Sequence, residues 1–398
     1  MIKLSDRISR VEPSPTLAIT AKAKAMKAEG IDIISFGAGE PDFDTPEPVR
    51  EAAKASLDKG QTRYTAAAGI PELRAAIARD YARRGREVKA NEVIVSSGGK
   101  HALYTATQVI FEAGDKVIVP GPYWVSYPAQ ILLADAEPVF IDCPADQDFK
   151  LTPEQLFEAL KDPAVRGLIL CSPSNPTGAV YTRSELEALG AVLASRPEVV
   201  TFYDAMYDEL YYEGAIAPDL VACVPALKDS VVTFNGFSKT YAMTGWRLGY
   251  AIAPAGVAVA MDTLQSQSTS NSTSFVQYAA LAAFALDPSV LTERREAFRR
   301  RKDLIVGLLR GIEGVKCTMP LGAFYAFADF SAYIDPTKSG ANTFADDMQL
   351  TEFLLVEAKV AVVPGSSFGA PGFLRLSYAT SDALIEEGVR RIKRALKG

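Results

Sequence analysis

The 398-residue sequence predicts an α/β chain: a large domain with a seven-stranded, mostly parallel sheet covered by helices, and then a smaller α+β domain. Two observations carry that expectation. Short apolar runs at 92–96, 116–119, 137–141, 167–171, 199–203, 231–235 and 247–253 alternate with longer helical or loop segments. Connections of that length join parallel strands buried on both faces. Later the rhythm changes: GVKCTMP, GAFYAFADF, VAVVPG and FLRLSYA are strand-like and mixed with helical segments 344–358 and 381–396. A hydrophobic content of 48% over this length supports a large core and more than one domain.

In chain order, residues 1–45 read as an N-terminal arm packing with the small domain. The arm holds SFGAGEPDFDTP (35–46), whose glycines and prolines make it an ordered loop. It is no dinucleotide fingerprint, because Asp42 stands where the third glycine belongs. Segments 46–59 and 71–84 read as helices, the second with apolar positions 73, 76, 77 and 81 on one face. The loop between them carries Tyr64. The strand rhythm then spans a large domain, 46–287. Its last run follows closely on its neighbour and is the candidate for an antiparallel exception. Helical patterns follow at 256–268 and 273–286, and a long arginine-rich helix at 288–312 opens the small domain, 288–398.

Composition excludes whole mechanisms. A single histidine, His101, rules against a Ser-His-Asp hydrolase or a multi-histidine metal site. The four cysteines lack CxxC spacing and read as core residues of a reduced, cytoplasmic protein. Net charge is −6 with both signs interspersed, so there is no basic stripe for nucleic acid. The first fifteen residues lack the apolar centre of a signal peptide, and no stretch approaches a membrane span.

The stretch VVTFNGFSKTYAMTGWRLGY (231–250) organises the rest. An apolar strand ends at Asn235-Gly236, a turn-favouring pair, and Ser238-Lys239 follows at the strand's carboxyl end. A lysine beside a turn is ordinarily solvated; apolar strands on both sides argue against that here. A buried lysine is costly unless paired, neutral or covalently engaged, and Schiff-base chemistry is the common reason to keep one.

The segment SKTYAMTGWRLGY resembles the cofactor-lysine signature of pyridoxal-phosphate aminotransferases of the aspartate aminotransferase family. GEPDFDTP (39–46), PYWVSYP (122–128), SPSNPTG (172–178) and RLSYA (375–379) extend that resemblance along nearly the whole chain. It implies the pyridoxal-phosphate-dependent transferase fold, pyridoxal 5'-phosphate on Lys239 as a Schiff base, and Arg247 on its phosphate with help from Ser238. It also implies a homodimer with Tyr64 reaching the neighbouring subunit's phosphate, and Gly39 and Arg375 on the substrate's α-carboxylate.

The other parts fall after predicted strands, where loops of a parallel sheet converge. Gly98 and Gly99 open a helix whose N-terminus suits a phosphate, with Lys100 beside them. Trp124 offers a stacking face, although core packing is its bland alternative. Asn175 and Tyr207 are placed to reach the cofactor's phenolic oxygen. Asp204 would face the ring nitrogen; a helix N-cap on 205–212 competes with that reading. YDAMYDELYY departs from the family's usual SDEIY but keeps the spacing of Asp204 and Tyr207. The expected reaction moves the amino group of L-aspartate to 2-oxoglutarate. In the branch resembled, the lysine of GGKxAL, here Lys100, holds the side-chain carboxylate, assisted by Ser14 and Thr16. Glu12 stands where prephenate-accepting members tend to carry lysine, so little prephenate activity is expected. A pyridoxal-phosphate lyase of the same fold would share every cofactor residue.

Overall fold

Strands made wholly of buried residues have to lie inside a sheet covered on both sides, and the chain supplies several. A computed structural model describes residues 2–13, 15–335 and 343–397, the side chains of 15–17 excepted. The large sheet is built from β1 (Val93–Ser96), β2 (Lys116–Gly121), β3 (Glu137–Asp142), β4 (Val165–Cys171), β5 (Val200–Asp204), β6 (Val231–Gly236) and β7 (Gly249–Ile252). Its order is β1-β7-β6-β5-β4-β2-β3. β7 pairs antiparallel with both β1 and β6, while the other pairings are parallel. Every residue of β1 and β6 is buried. The six strands that share a direction therefore end on one edge, and their loops meet there.

A second, antiparallel sheet centres on β8 (Tyr325–Asp329) and β9 (Phe373–Ser377), in register Tyr325↔Ser377 and Phe327↔Arg375. The 23-residue helix Pro288–Arg310 buries Phe298, Ile305 and Leu309 in the core under that sheet. Tyr207, Leu210 and Tyr212 join the same core, so the turn after β5 is packed between the two sheets. Among the described residues no single helix is long and apolar enough to cross a membrane.

Three local expectations are corrected. The N-terminal arm contains an unforeseen helix, Pro15–Ala28, whose contacts with Leu355 and Ala361 rest on Ala23, Ile19 and Met26. So narrow a stripe in an alanine- and lysine-rich segment leaves little periodicity to detect. Asn235-Gly236 is no turn: the pair completes β6 opposite Tyr250 and Gly249. The Asn235 amide is spent on neighbours, donating to Asp208 at 2.8 Å and to Tyr81 at 3.3 Å. Finally, no helix forms over 205–212. Asp204 is the last residue of β5, and the turn beyond it closes through Asp208 N to Ala205 O at 3.0 Å.

A buried charge cluster holds that turn. Arg84, at the end of helix Pro71–Arg83, donates to Asp208 and Glu209, each at 2.7 Å, and pairs with Asp80. Burial pushes both Asp208 and Glu209 up from the usual carboxylate range, and the Arg84 charge opposes it. Deleting one partner of such a cluster strands buried charges, at a cost of about 3–5 kcal/mol. Without Arg84 the folded-state pKa values of the two acids rise further. The cost then applies in full above those values and is relieved as pH falls through them. Arg84→Met is therefore expected to lower the urea midpoint strongly near pH 8 and much less near pH 5; equal losses at both would contradict it.

Candidate active site

The converging loops and the second sheet enclose a cavity of about 240 Å³. It is lined by Gly39, Gly99, Lys100, Trp124, Asn175, Asp204, Tyr207, Ser238, Lys239, Arg247 and Arg375, all singled out in the sequence. Lys239 follows β6. Its ammonium donates to the Gly39 carbonyl and lies 6.0 Å from the centroids of the Tyr207 and Phe324 rings. Burial first, then the charges of Arg375 and Arg247, pull its pKa down to about 8, while Glu40 and Asp204 act the other way.

Asp204 is buried, and both of its oxygens are held. Tyr127 donates to Oδ2 at 2.7 Å and the Met206 N–H to Oδ1 at 3.1 Å. Burial raises the Asp204 pKa; the two hydrogen bonds and the Lys239 charge restrain that rise. Tyr127 went unnoticed in the sequence, although PYWVSYP contains it. A tyrosine in an apolar helix reads as core until the end of β5 brings a carboxylate to it.

Arg375 is 2% exposed and fixed from several sides. Nη1 donates to Asn175 Oδ1 at 2.9 Å and Nη2 to the Gly37 carbonyl at 3.0 Å. Its carbon lies 4.5 Å from the Tyr325 ring centroid and 5.0 Å from that of Phe368. Among the described residues its buried Nε has no hydrogen-bond partner. A rigid guanidinium with an unspent N–H is built to receive an anion, and a carboxylate fits it. Tyr325 is the second residue the sequence did not single out: its hydroxyl is 2.9 Å from that of Tyr207.

At the other end stands the N-terminus of helix Gly99–Ile110. Gly98 has φ +93°, and a Cβ there would lie 2.6 Å from Arg247 Nη2; a Cβ on Gly99 would lie 2.2 Å from Met206 Cε. Only glycines admit both side chains so close to the helix start, leaving backbone N–H groups, Ser238 and Arg247 around one position. This cradle fits a phosphate. Lys100 lies 4.8 Å from the Trp124 ring, and burial, then Arg247, lowers its pKa. Tyr64 is 89% exposed and does not line its own chain's cavity. Ser14 lies outside the described residues, as does the side chain of Thr16. Among the described residues no group of three His, Cys, Asp or Glu could hold a metal ion.

The cavity at the strand ends thus gathers a desolvated lysine, a buried carboxylate, a cradle for an anion and a buried arginine. The family model "Aminotransferase class I and II" matches residues 31–392, and the chain belongs to that family. It is 47% identical over 394 residues to the aspartate/prephenate aminotransferase of Cereibacter sphaeroides, covering 99% of this chain and 98% of that one. It is 46% identical over 400 residues to the aspartate aminotransferase of Geobacillus stearothermophilus, covering 100% and 99%. The solved Thermus thermophilus aspartate aminotransferase with maleate superposes with a TM-score of 0.92 at 40% identity, covering 100% of both chains.

The environment of Lys239 has a direct test. In the cofactor-free protein, reductive methylation with formaldehyde and cyanoborohydride, followed at the Lys239 peptide, should reach half its maximal rate near pH 8. The exposed lysines of the same digest should lag it. A Lys239 profile that coincides with theirs would contradict the depressed pKa.

Proposed function

We propose that this chain is an aspartate aminotransferase that carries pyridoxal 5'-phosphate on Lys239 and moves the amino group of L-aspartate to 2-oxoglutarate, yielding oxaloacetate and L-glutamate. The observation that carries this reading is the pairing, in one cavity, of a desolvated lysine amine with a buried arginine, Arg375. When bound, the cofactor supplies an electron sink that makes the substrate's Cα–H acidic.

The chain's own groups then divide the work. Lys239, with its pKa near 8, is a competent nucleophile at neutral pH and afterwards the base that moves the proton between Cα and the cofactor's C4′. Asp204, its oxygens fixed by Tyr127 and the Met206 N–H, faces the ring nitrogen and keeps it protonated. The Asn175 oxygen is taken by Arg375, which leaves the amide nitrogen to donate, with Tyr207, to the phenolic oxygen. Gly98, Gly99, Lys100, Ser238 and Arg247 hold the phosphate, joined by Tyr64 of the partner subunit in a homodimer. Trp124 stacks on the ring. Arg375 binds the α-carboxylate with Gly39 and Asn175, and Lys100 the side-chain carboxylate, with Ser14 and Thr16.

Dicarboxylate specificity is supported by the Thermus thermophilus structure with maleate, a four-carbon dicarboxylate. The Cereibacter sphaeroides relative carries prephenate in its name, which favours a second reading with prephenate as an acceptor. Glu12 opposes it here by repelling an added carboxylate. A cytoplasmic location accords with the absence, among the described residues, of any single helix able to span a membrane.

Incubation with pyridoxal phosphate, aspartate and 2-oxoglutarate should produce oxaloacetate and glutamate in equal amounts; ammonia release without glutamate would make the protein a lyase. Lys100→Ser should reduce kcat/KM for aspartate about 10- to 100-fold, the worth of a charge-assisted hydrogen bond, and spare a neutral amino acid. Equal losses for both would assign Lys100 to the phosphate alone.

A further inference from the structure

Tyr325 and Tyr207 reach the cavity from different sheets. Tyr207 sits in the turn after β5, whereas Tyr325 opens β8. Their hydroxyl oxygens are 2.9 Å apart and their rings cross at 77°. Both are buried, Tyr325 at 1% exposure. Tyr325 also touches the two substrate-side elements. Its ring centroid is 4.5 Å from the Arg375 guanidinium carbon, and a Cβ on Gly39 would stand 3.0 Å from its hydroxyl. Its ring packs against Phe324 at 4.7 Å between centroids, a contact that a phenylalanine at 325 would keep. Each hydroxyl satisfies the other, yet two phenylalanines would leave nothing to satisfy. The hydroxyl pair needs another reason.

We propose that Tyr325 is a positioning residue for the reaction: its hydroxyl donates to the Tyr207 oxygen and so directs the Tyr207 proton into the cavity, onto the phenolic oxygen of the bound cofactor. This rests on the function proposed above.

A phenol has one proton and two acceptor lone pairs, so Tyr207 can accept from Tyr325 and still donate. Only this direction frees the Tyr207 proton for the cavity. The surrounding charge selects it. Burial raises the Tyr325 pKa, but the Arg375 charge, 4.5 Å from its ring, and then the Tyr207 hydroxyl oppose that rise, which makes Tyr325 the better donor. Arg375 also acts on Tyr207, where the effects of burial and of Tyr325 outweigh it. Tyr207 is pushed well above its ordinary value by burial and then by Tyr325 itself. Donation in series strengthens the outer bond. It also has a consequence for binding, because a carboxylate seated on Arg375 cancels the field that sharpens Tyr325 as a donor. Occupation of the carboxylate site is thereby transmitted through two hydroxyls to the cofactor's oxygen.

The test is a pH titration of the visible absorption of the lysine-bound cofactor in four proteins: wild type, Tyr325→Phe, Tyr207→Phe and the double variant. Asp204, Arg375, Arg247 and Glu40, the charged groups around this position, are common to all four. Weaker donation leaves more negative charge on the phenolic oxygen, which holds the neighbouring imine proton more tightly and moves the midpoint up. Tyr325→Phe should raise it by roughly half a pH unit, about a threefold change in proton affinity, and Tyr207→Phe by more. The double variant should match Tyr207→Phe, because Tyr325 acts only through Tyr207. An unmoved midpoint in cofactor-loaded Tyr325→Phe, or additive shifts in the double variant, overturns the inference alone. A wild-type protein that takes up no cofactor overturns it together with the proposed function.

Discussion

Everything in the cavity answers to the cost of keeping the Lys239 amine away from water between two arginines. An ammonium held near pKa 8 instead of 10.5 carries a penalty of about 3 kcal/mol at neutral pH, at about 1.4 kcal/mol per unit. That penalty is absent above the unfolded pKa, where the amine is neutral in both states, and is complete once pH falls below 8. Among the described residues no carboxylate hydrogen-bonds this ammonium; its hydrogen bond goes to the Gly39 carbonyl. A pairing carboxylate would have removed the penalty but locked the proton in place. The site instead keeps an amine that is easily neutralised, and neutral amines attack carbonyls.

Two sheets have to meet to make this environment. The large sheet supplies Lys239 and Asp204 at strand ends, and the second sheet supplies Arg375 on β9 and Tyr325 on β8. Polar contacts join them beside the shared apolar core: Arg375 to Asn175, and Tyr325 to Tyr207. Displacing the second sheet would therefore remove positive charge from around Lys239 as well as the carboxylate site. The Arg84 cluster does the corresponding work from behind, holding Asp208 so that Tyr207 one residue before it cannot drift.

Much of this was legible in the chain, for reasons that also explain the misses. Seven apolar runs announced seven strands because the inner strands are buried on both faces and nearly all apolar, with only the edge strand β3 half exposed. The antiparallel β7 betrayed itself by following β6 too closely for a crossover. Lys239, Asp204, Asn175 and Arg375 could be singled out because each is chemically loud and lies just beyond or within such a run. Tyr127 and Tyr325 are quiet: each looks like one more core aromatic until a partner from a distant segment arrives at its hydroxyl. Asn235-Gly236 misled because a local turn preference lost to a tertiary demand, the buried amide being required by Asp208. Helix Pro15–Ala28 was missed because its packing face is so slight.

The measurement that bears most directly on the central role of Lys239 is borohydride reduction of the protein loaded with pyridoxal phosphate, followed by peptide mapping. The structure predicts a single pyridoxyl group, on the ε-nitrogen of Lys239. Labelling of Lys100 in its place, or no stable adduct at all, would contradict the account.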